Sequence, residues 1–243
     1  MRHVSDQFRS VGVTVHRHKG IDGNELPQDE IDRHLSFMSG YHQRTRPQIG
    51  VFMSQRSLWK HIAESEDGWV FVAEDDIHLD SSCAELFVSE DWIPQDADIV
   101  KAETAFQKIR TSWMSRKVGR RWRAARLYTN HAGSAGYFIR RETASRLYTL
   151  TENYSEPTDE TLFNPEMGIS DKLRIYQLYP AICAQDMLLY GDGHTEGLAS
   201  LVRPERRKKI DSVKQREKPR GMAYLKSKYL RLTTRRRTVP FVD

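Results

Sequence analysis

Apolar positions along this chain recur with two different periods, and the period changes where Gly, Pro or Asp intervenes. Residues 4 to 12 space their apolar side chains as a short helix closing at Gly12, and Val11-Gly-Val-Thr-Val15 then alternates toward strand character. Asp22-Gly23 predicts a turn, and Pro27 to Tyr41 a polar helix closing around Gly40. Ser54 stands where it could cap a helix in which Leu58, Trp59 and Ile62 share one face, opposite Lys60 and Glu64.

After Glu66-Asp67-Gly68 comes Trp69-Val-Phe-Val-Ala73, an unbroken apolar run that gives way to Glu74-Asp75-Asp76. So short a run fits a strand buried on both faces of a parallel sheet. Ser82-x-x-Glu85 reads as a capping box, with Asp80 and Ser82 as helix-entry residues. Asp98-Ile-Val-Lys101 predicts a short strand. Thr104 to Arg141 carries ten Lys/Arg and no acid, and its middle reads as a long basic loop. Gly133 to Gly136 leads into an apolar strand and a helix with Ala144, Leu147 and Tyr148 on one face; Leu173 to Tyr179 alternates as a half-buried strand before Pro180. Helices and strands alternate without an internal repeat, so the expected class is α/β.

Composition sharpens this. At 243 residues and 38% hydrophobic content the chain can fill a core. No run reaches the length of a membrane-spanning helix, and Met-Arg-His-Val-Ser-Asp lacks a signal peptide's apolar stretch, so the expected location is cytoplasmic. Cys83 and Cys183 have no zinc-type or disulfide-framework spacing and read as buried free thiols. The net charge of +5 divides unevenly: residues 203–243 hold 15 Lys/Arg against 4 Asp/Glu. The expected organisation is therefore an acidic body over 1–202 and a basic tail over 203–243. Met222, Tyr224, Leu225, Tyr229, Leu230 and Leu232 interleave with the tail's cations, which suits an anionic membrane surface. Nucleic acid is the other polyanion that such a charge run can meet.

Three adjacent carboxylates at a strand's end repel one another, and each resists desolvation. A divalent cation relieves both problems. Hard oxygen ligands suit Mg²⁺ or Mn²⁺, which keep waters and take further ligands from substrate phosphates.

Gly50-Val-Phe-Met-Ser-Gln-Arg-Ser-Leu-Trp59 followed by Trp69-Val-Phe-Val-Ala-Glu-Asp-Asp76 resembles glycosyltransferase family 25, which includes bacterial lipooligosaccharide β-galactosyltransferases. Gly20-Ile-Asp-Gly23, Ala97-Asp-Ile-Val-Lys101, Gly133 to Ile139, Pro157-Thr-Asp159, Ile175 to Pro180 and Gln185 are similar to further family segments in the same order. The resemblance implies a glycosyltransferase-A-like, mostly parallel sheet flanked by helices. It also implies inverting transfer of a sugar, typically galactose, from a UDP-sugar to a saccharide or lipid-linked acceptor in lipooligosaccharide synthesis.

On that basis Asp76 is the expected metal ligand, Asp75, Asp76 and Ser54 the donor-binding residues, and Asp159 and Glu74 the catalytic acids, with Asp159 as base. His131 and His194 are candidate additional ligands, and the cations of 108–126 candidate phosphate contacts. The chain departs from the family at Ser54-Gln55, where the family has Ser-His, and in lacking the opening strand ahead of Met1-Arg2-His3. That second departure leaves two expectations, a start further upstream or an incomplete UDP pocket. The competing readings are a catalytically silent relative acting as a scaffold, and a polyanion binder acting through the tail.

Overall fold

The computed structural model describes residues 2–37, 45–191, 229–230 and 232–241. Its elements, in order, are α1 (Arg2–Ser10), α2 (Gln28–Ser36), α3 (Arg46–Glu64), β1 (Trp69–Ala73), β2 (Ile77–Leu79), β3 (Ile99–Lys101), β4 (Lys108–Ser112), β5 (Arg116–Val118), β6 (Trp122–Arg126), β7 (Gly136–Arg140), α4 (Arg141–Leu150), α5 (Thr158–Phe163), β8 (Ile175–Tyr179), β9 (Cys183–Gln185), α6 (Asp186–Tyr190) and β10 (Thr234–Thr238). Short 3-10 turns fall at Cys83–Phe87, Pro165–Met167 and Ser170–Lys172.

The main sheet runs β1-β7-β3-β8-β6-β5, with β2-β9 and β4-β10 as separate pairs. Among the named strands of the described residues only β3 and β8 pair in parallel and the other pairs are antiparallel; isolated parallel bridges join Glu103 to Cys183 and Ala181 to Phe241. The class is thus mixed α/β, and the expected mostly parallel sheet is corrected. The cause lies in the stretch expected to be a basic loop. In β4 the buried positions are Ile109 and Thr111, and in β6 Trp122, Ala124 and Ala125, so the alternation is there, with long Lys and Arg side chains outside it.

The sheet divides the core in two. Along β7, Phe138 joins Phe8, Leu86, Val100 and Trp122, while Tyr137 and Ile139 join Phe52, Trp59, Leu147 and Phe163. Successive strand side chains face opposite sides, so a strand with both neighbours and both faces covered is buried throughout. That strand is β7. The run Trp69–Ala73 forms instead the sheet edge, with only Val72 buried.

Four further expectations change. Val11–Val15 forms no strand, although Val13 and Val15 pack on the first core cluster. Ser54 lies inside α3, whose start is capped at Thr45 by a reciprocal box with Gln48. Ser82 makes no side-chain cap; Asp80 accepts its N–H and hydroxyl and forms an ion pair with Arg121 at 3.2 Å. The helix expected to close at Gly40 ends at Ser36, and Gly40 lies outside the described residues. Both cysteines are buried and unpaired by disulfide, as expected.

The boundary expected at 202/203 also lies outside the described residues, but the chain's last stretch is built into the body. Arg235, Arg236 and Arg237 lie in β10, paired antiparallel with β4, and Val239 is fully buried. Among the described residues no helix is long and apolar enough to cross a membrane.

Candidate active site

Glu74 follows β1 directly, and its N–H donates to Ala135 O at 2.9 Å, so the strand's end is tied to the loop before β7. From that loop Ser134 Oγ donates to Glu74 Oε1 at 3.3 Å. Gly133 N–H donates to Asp159 Oδ2 at 3.2 Å. Pairing of β2 with β9 sets Gln185 opposite Ile77, and its amide nitrogen reaches Glu74 Oε2 at 3.1 Å and Asp76 Oδ2 at 3.2 Å. One neutral amide therefore bridges two carboxylates. Asp75 is exposed.

Beneath the loop lies a buried ion pair. Lys101 Nζ meets Glu103 Oε1 at 2.6 Å with both side chains fully buried, and it also donates to Gly133 O and stands 3.9 Å from the Phe163 ring centroid. Glu103 Oε1 accepts Ala135 N–H at 2.9 Å. Residues 101 and 103 face the same side because strand side chains alternate. Together they hold Gly133 and Ala135 by the backbone, while the same loop holds Glu74 and Asp159. Gly133 has φ +88, and a Cβ there would stand 2.8 Å from Glu103 Oε2, so both the backbone conformation and the close approach call for glycine.

The electrostatics follow from this crowding. Burial, then the charges of Asp76, Glu103 and Asp159, push the Glu74 carboxyl up to about 8. Asp76 is also raised, chiefly by burial and against the Gln185 hydrogen bond. Glu103 is raised by burial despite Lys101, and its Oε2 is buried without a hydrogen bond. Among the leading influences on Glu74 and Asp76, the opposing ones are the hydrogen bonds from Ser134 and Gln185. The site thus gathers negative charge with its one buried lysine engaged by Glu103, an arrangement that favours a bound cation or a retained proton.

Two of the other expected residues serve the framework. Ser54 Oγ donates to Gly50 O and accepts Ile21 N–H, each at 2.7 Å, and a Cβ on Gly50 would lie 2.5 Å from Gly23 N. The Gly-Ile-Asp-Gly and Gly-to-Ser segments therefore form one tight joint between the 21–23 turn and α3. His131 Nδ1–H donates to Gln177 Oε1 at 2.7 Å, and its Nε2 accepts Ala105 N–H at 3.2 Å. Gln177 is fixed in that orientation because its amide nitrogen donates to Glu103 O and Leu178 O. Both imidazole nitrogens are committed, and burial, then Lys101, holds the group neutral with a pKa of about 3. His131 is thereby removed as a metal ligand; His194 lies outside the described residues. Among the described residues no three His, Cys, Asp or Glu side chains converge as a metal cage.

The expected phosphate-binding arginines engage the protein. Arg116 donates to Asp91 O, Arg123 to Ser115 and Arg126 to Leu173 O. Gln55, which stands where the family has His, accepts the Tyr137 hydroxyl at 2.9 Å, and Tyr137 in turn accepts Trp59 Nε1–H at 3.2 Å. A histidine nitrogen can accept the same proton, so the contact survives the exchange.

Sequence reasoning found Glu74, Asp75, Asp76 and Asp159 but assigned no role to Gln185, Ser134, Lys101 or Glu103. A lysine ending the apolar strand Ile99-Val-Lys101, with an acid two residues on, was the available signal for the last pair.

Residues 1–162 match the family model described as Glycosyltransferase family 25 (LPS biosynthesis protein). The chain is 29% identical over 219 residues to the lacto-N-neotetraose biosynthesis glycosyltransferase LgtB of Neisseria meningitidis serogroup A / serotype 4A, covering 84% of this chain and 76% of that protein. It is 26% identical over 197 residues to LgtE of Neisseria gonorrhoeae, covering 76% and 69%. It is 27% identical over 183 residues to the lipooligosaccharide biosynthesis protein lic2B of Haemophilus influenzae, covering 71% and 65%.

Proposed function

Because the chain belongs to glycosyltransferase family 25, we propose that it transfers a sugar, galactose by the resemblance, from a UDP-sugar to a hydroxyl of a lipooligosaccharide-type acceptor with inversion. A glycosyltransferase-A-type nucleotide crevice and an anionic membrane partner belong to the same reading. The observation that carries it is the meeting of Glu74, Asp76 and Asp159 around one loop, where burial and neighbouring carboxylates raise the Glu74 carboxyl.

A divalent cation fits the chemistry of these residues. The donors are hard carboxylate oxygens, and the shortage of protein ligands matches an ion such as Mn²⁺ or Mg²⁺ that completes its shell with waters and substrate phosphates. Asp76 would hold it, with Asp75 beside it at the site's exposed edge. Bound there, the ion would stabilise the charge that develops on the leaving diphosphate. Gln185 orients Asp76 and Glu74 relative to one another.

The bond between the donor's anomeric carbon and the diphosphate breaks as the acceptor oxygen bonds to that carbon from the opposite side. The acceptor's proton passes to Asp159, which Gly133 N–H orients. Glu74, held by Ser134 and Gln185 beside Asp76, is suited to contact a sugar hydroxyl.

The test is release of UDP from UDP-galactose with and without Mn²⁺. Turnover should need the metal and disappear in Asp76→Ala. Asp159→Asn should lower kcat by about 100-fold or more while UDP and Mn²⁺ still bind. Metal-independent turnover, or full activity in Asp76→Ala, overturns this mechanism. A folded wild-type chain that binds no UDP with Mn²⁺ in calorimetry would instead be a silent scaffold.

A further inference from the structure

The β4–β10 ribbon ends in a surface that the transfer chemistry does not use. Thr234 pairs with Ser112, and Trp113 N–H donates to Thr233 O at 3.3 Å, so the end of β4 lies against the turn entering β10. Four large apolar side chains gather there: Trp113 is 57% exposed, Met114 86%, Tyr229 63% and Leu232 72%. Single exposed apolar residues are ordinary, but four on one turn of surface mark a contact. The segments that carry them have charge of one sign. Residues 104–141 and 229–241 contain no Asp or Glu. Arg116, Lys117, Arg123 and Arg236 are exposed, and the Arg235 guanidinium lies 5.9 Å from the Trp113 ring centroid. Glu85 and Asp91 flank the far side of β5, where they meet Arg120 N–H and the Arg116 guanidinium.

We propose that this ribbon tip is the docking surface for an anionic lipid bilayer. Trp113, Met114, Tyr229 and Leu232 enter the headgroup boundary, and the surrounding cations face lipid phosphate. Aromatic and aliphatic side chains ringed by Arg and Lys are the composition of a membrane-interface contact. Nucleic acid fits less well, because Met114 and Leu232, the most exposed of the four, offer no ring to stack on a base. The inference rests on the membrane part of the functional reading and on neither the metal nor the donor. It also moves the contact from the charge run as such to a folded surface. Residues 203–228, which precede Tyr229 in the chain, hold 11 Lys/Arg against 3 Asp/Glu.

The ribbon connects this surface to the acid site. At its base Thr104 Oγ1 donates to Val239 O, and Ala132 N–H donates to Gln107 Oε1 in the loop that carries Gly133. The seven residues from Lys108 to Met114 span at most roughly 20 Å.

Co-sedimentation of the full chain tests this, using vesicles of phosphatidylcholine alone and of phosphatidylcholine and phosphatidylglycerol in equal amounts. The mixed vesicles should bind the chain more tightly, and salt should weaken the binding. The double variant Trp113→Ser/Met114→Ser should bind on the order of 10-fold more weakly with an unchanged melting temperature. Met114→Glu, at a side chain with almost no packing to lose, repeats the test if the double variant fails to fold. Wild-type affinity in these variants overturns the tip assignment alone. No vesicle binding by the wild type overturns the membrane reading with it, and tighter, tip-dependent binding of DNA or RNA overturns the choice of a bilayer.

Discussion

Replacing Glu74 by Gln keeps the side chain's shape and removes its ionisation. The amide oxygen can still accept from Gln185, and the amide nitrogen can donate to Ser134 Oγ. In the wild type the Glu74 carboxyl is raised from 4.5 to about 8. Its stabilising contribution is complete below the unfolded value and is lost as pH rises toward about 8. His131 acts in the opposite sense, being lowered from 6.5 to about 3, so its contribution is complete above 6.5 and is lost as pH falls. The two slopes oppose each other between pH 4.5 and 6.5, and from 6.5 to about 8 His131 is constant.

That upper window isolates Glu74. A full proton over roughly one and a half pH units is worth about 2 kcal/mol, and solvent access to this half-buried side chain reduces it to ~1–2 kcal/mol. Urea denaturation at pH 6.5 and pH 8 in the presence of a chelator measures the loss. The wild type should lose ~1–2 kcal/mol more than Glu74→Gln across the window. Asp76 and Glu103, also raised, contribute the same sign in both proteins, so the difference reports Glu74. Equal losses would refute the crowded, cation-poor account of the site.

Lys101→Met should cost ~3–5 kcal/mol in denaturation, because it leaves the Glu103 carboxylate buried and uncompensated; Lys101→Met/Glu103→Leu should recover part of that, and a single-variant loss below about 1 kcal/mol would contradict the strut. Gly50→Ala drives a Cβ into the backbone of Ile21 and Gly23 and should destabilise by ~2–3 kcal/mol, read as a lower urea midpoint; a neutral result would refute the joint. Truncation before Thr234 removes the partner of β4 and takes Val239 from the core, a loss of at least ~2 kcal/mol by the same measurement. An unchanged midpoint there would show that the terminal strand is dispensable.

The sequence by itself determined the local elements and the identities of the acids. Helix α4, strand β7, the strand Ile99–Lys101 and the break from apolar to acidic after Ala73 were all legible, because period, caps and turn residues act over a few positions. It also placed Glu74, Asp76 and Asp159 on the list of candidate catalytic and ligand residues. What it could not decide was which strands neighbour which. An apolar run of five looks the same at a sheet edge as at its centre, so Trp69–Ala73 reads as a strand buried on both faces although it is the sheet edge and β3 and β8 hold the centre. The segment around residues 108–126 hid three strands because its outward positions are long cations and its inward ones include Thr and Ala. The contacts that make the acids a site were also invisible. Gln185 bridging Glu74 and Asp76, and Lys101 with Glu103 beneath Gly133, join residues 30 to 110 positions apart. Only tertiary packing brings such residues together, and burial there, with the like charges it crowds, is what raises the Glu74 carboxyl to about 8.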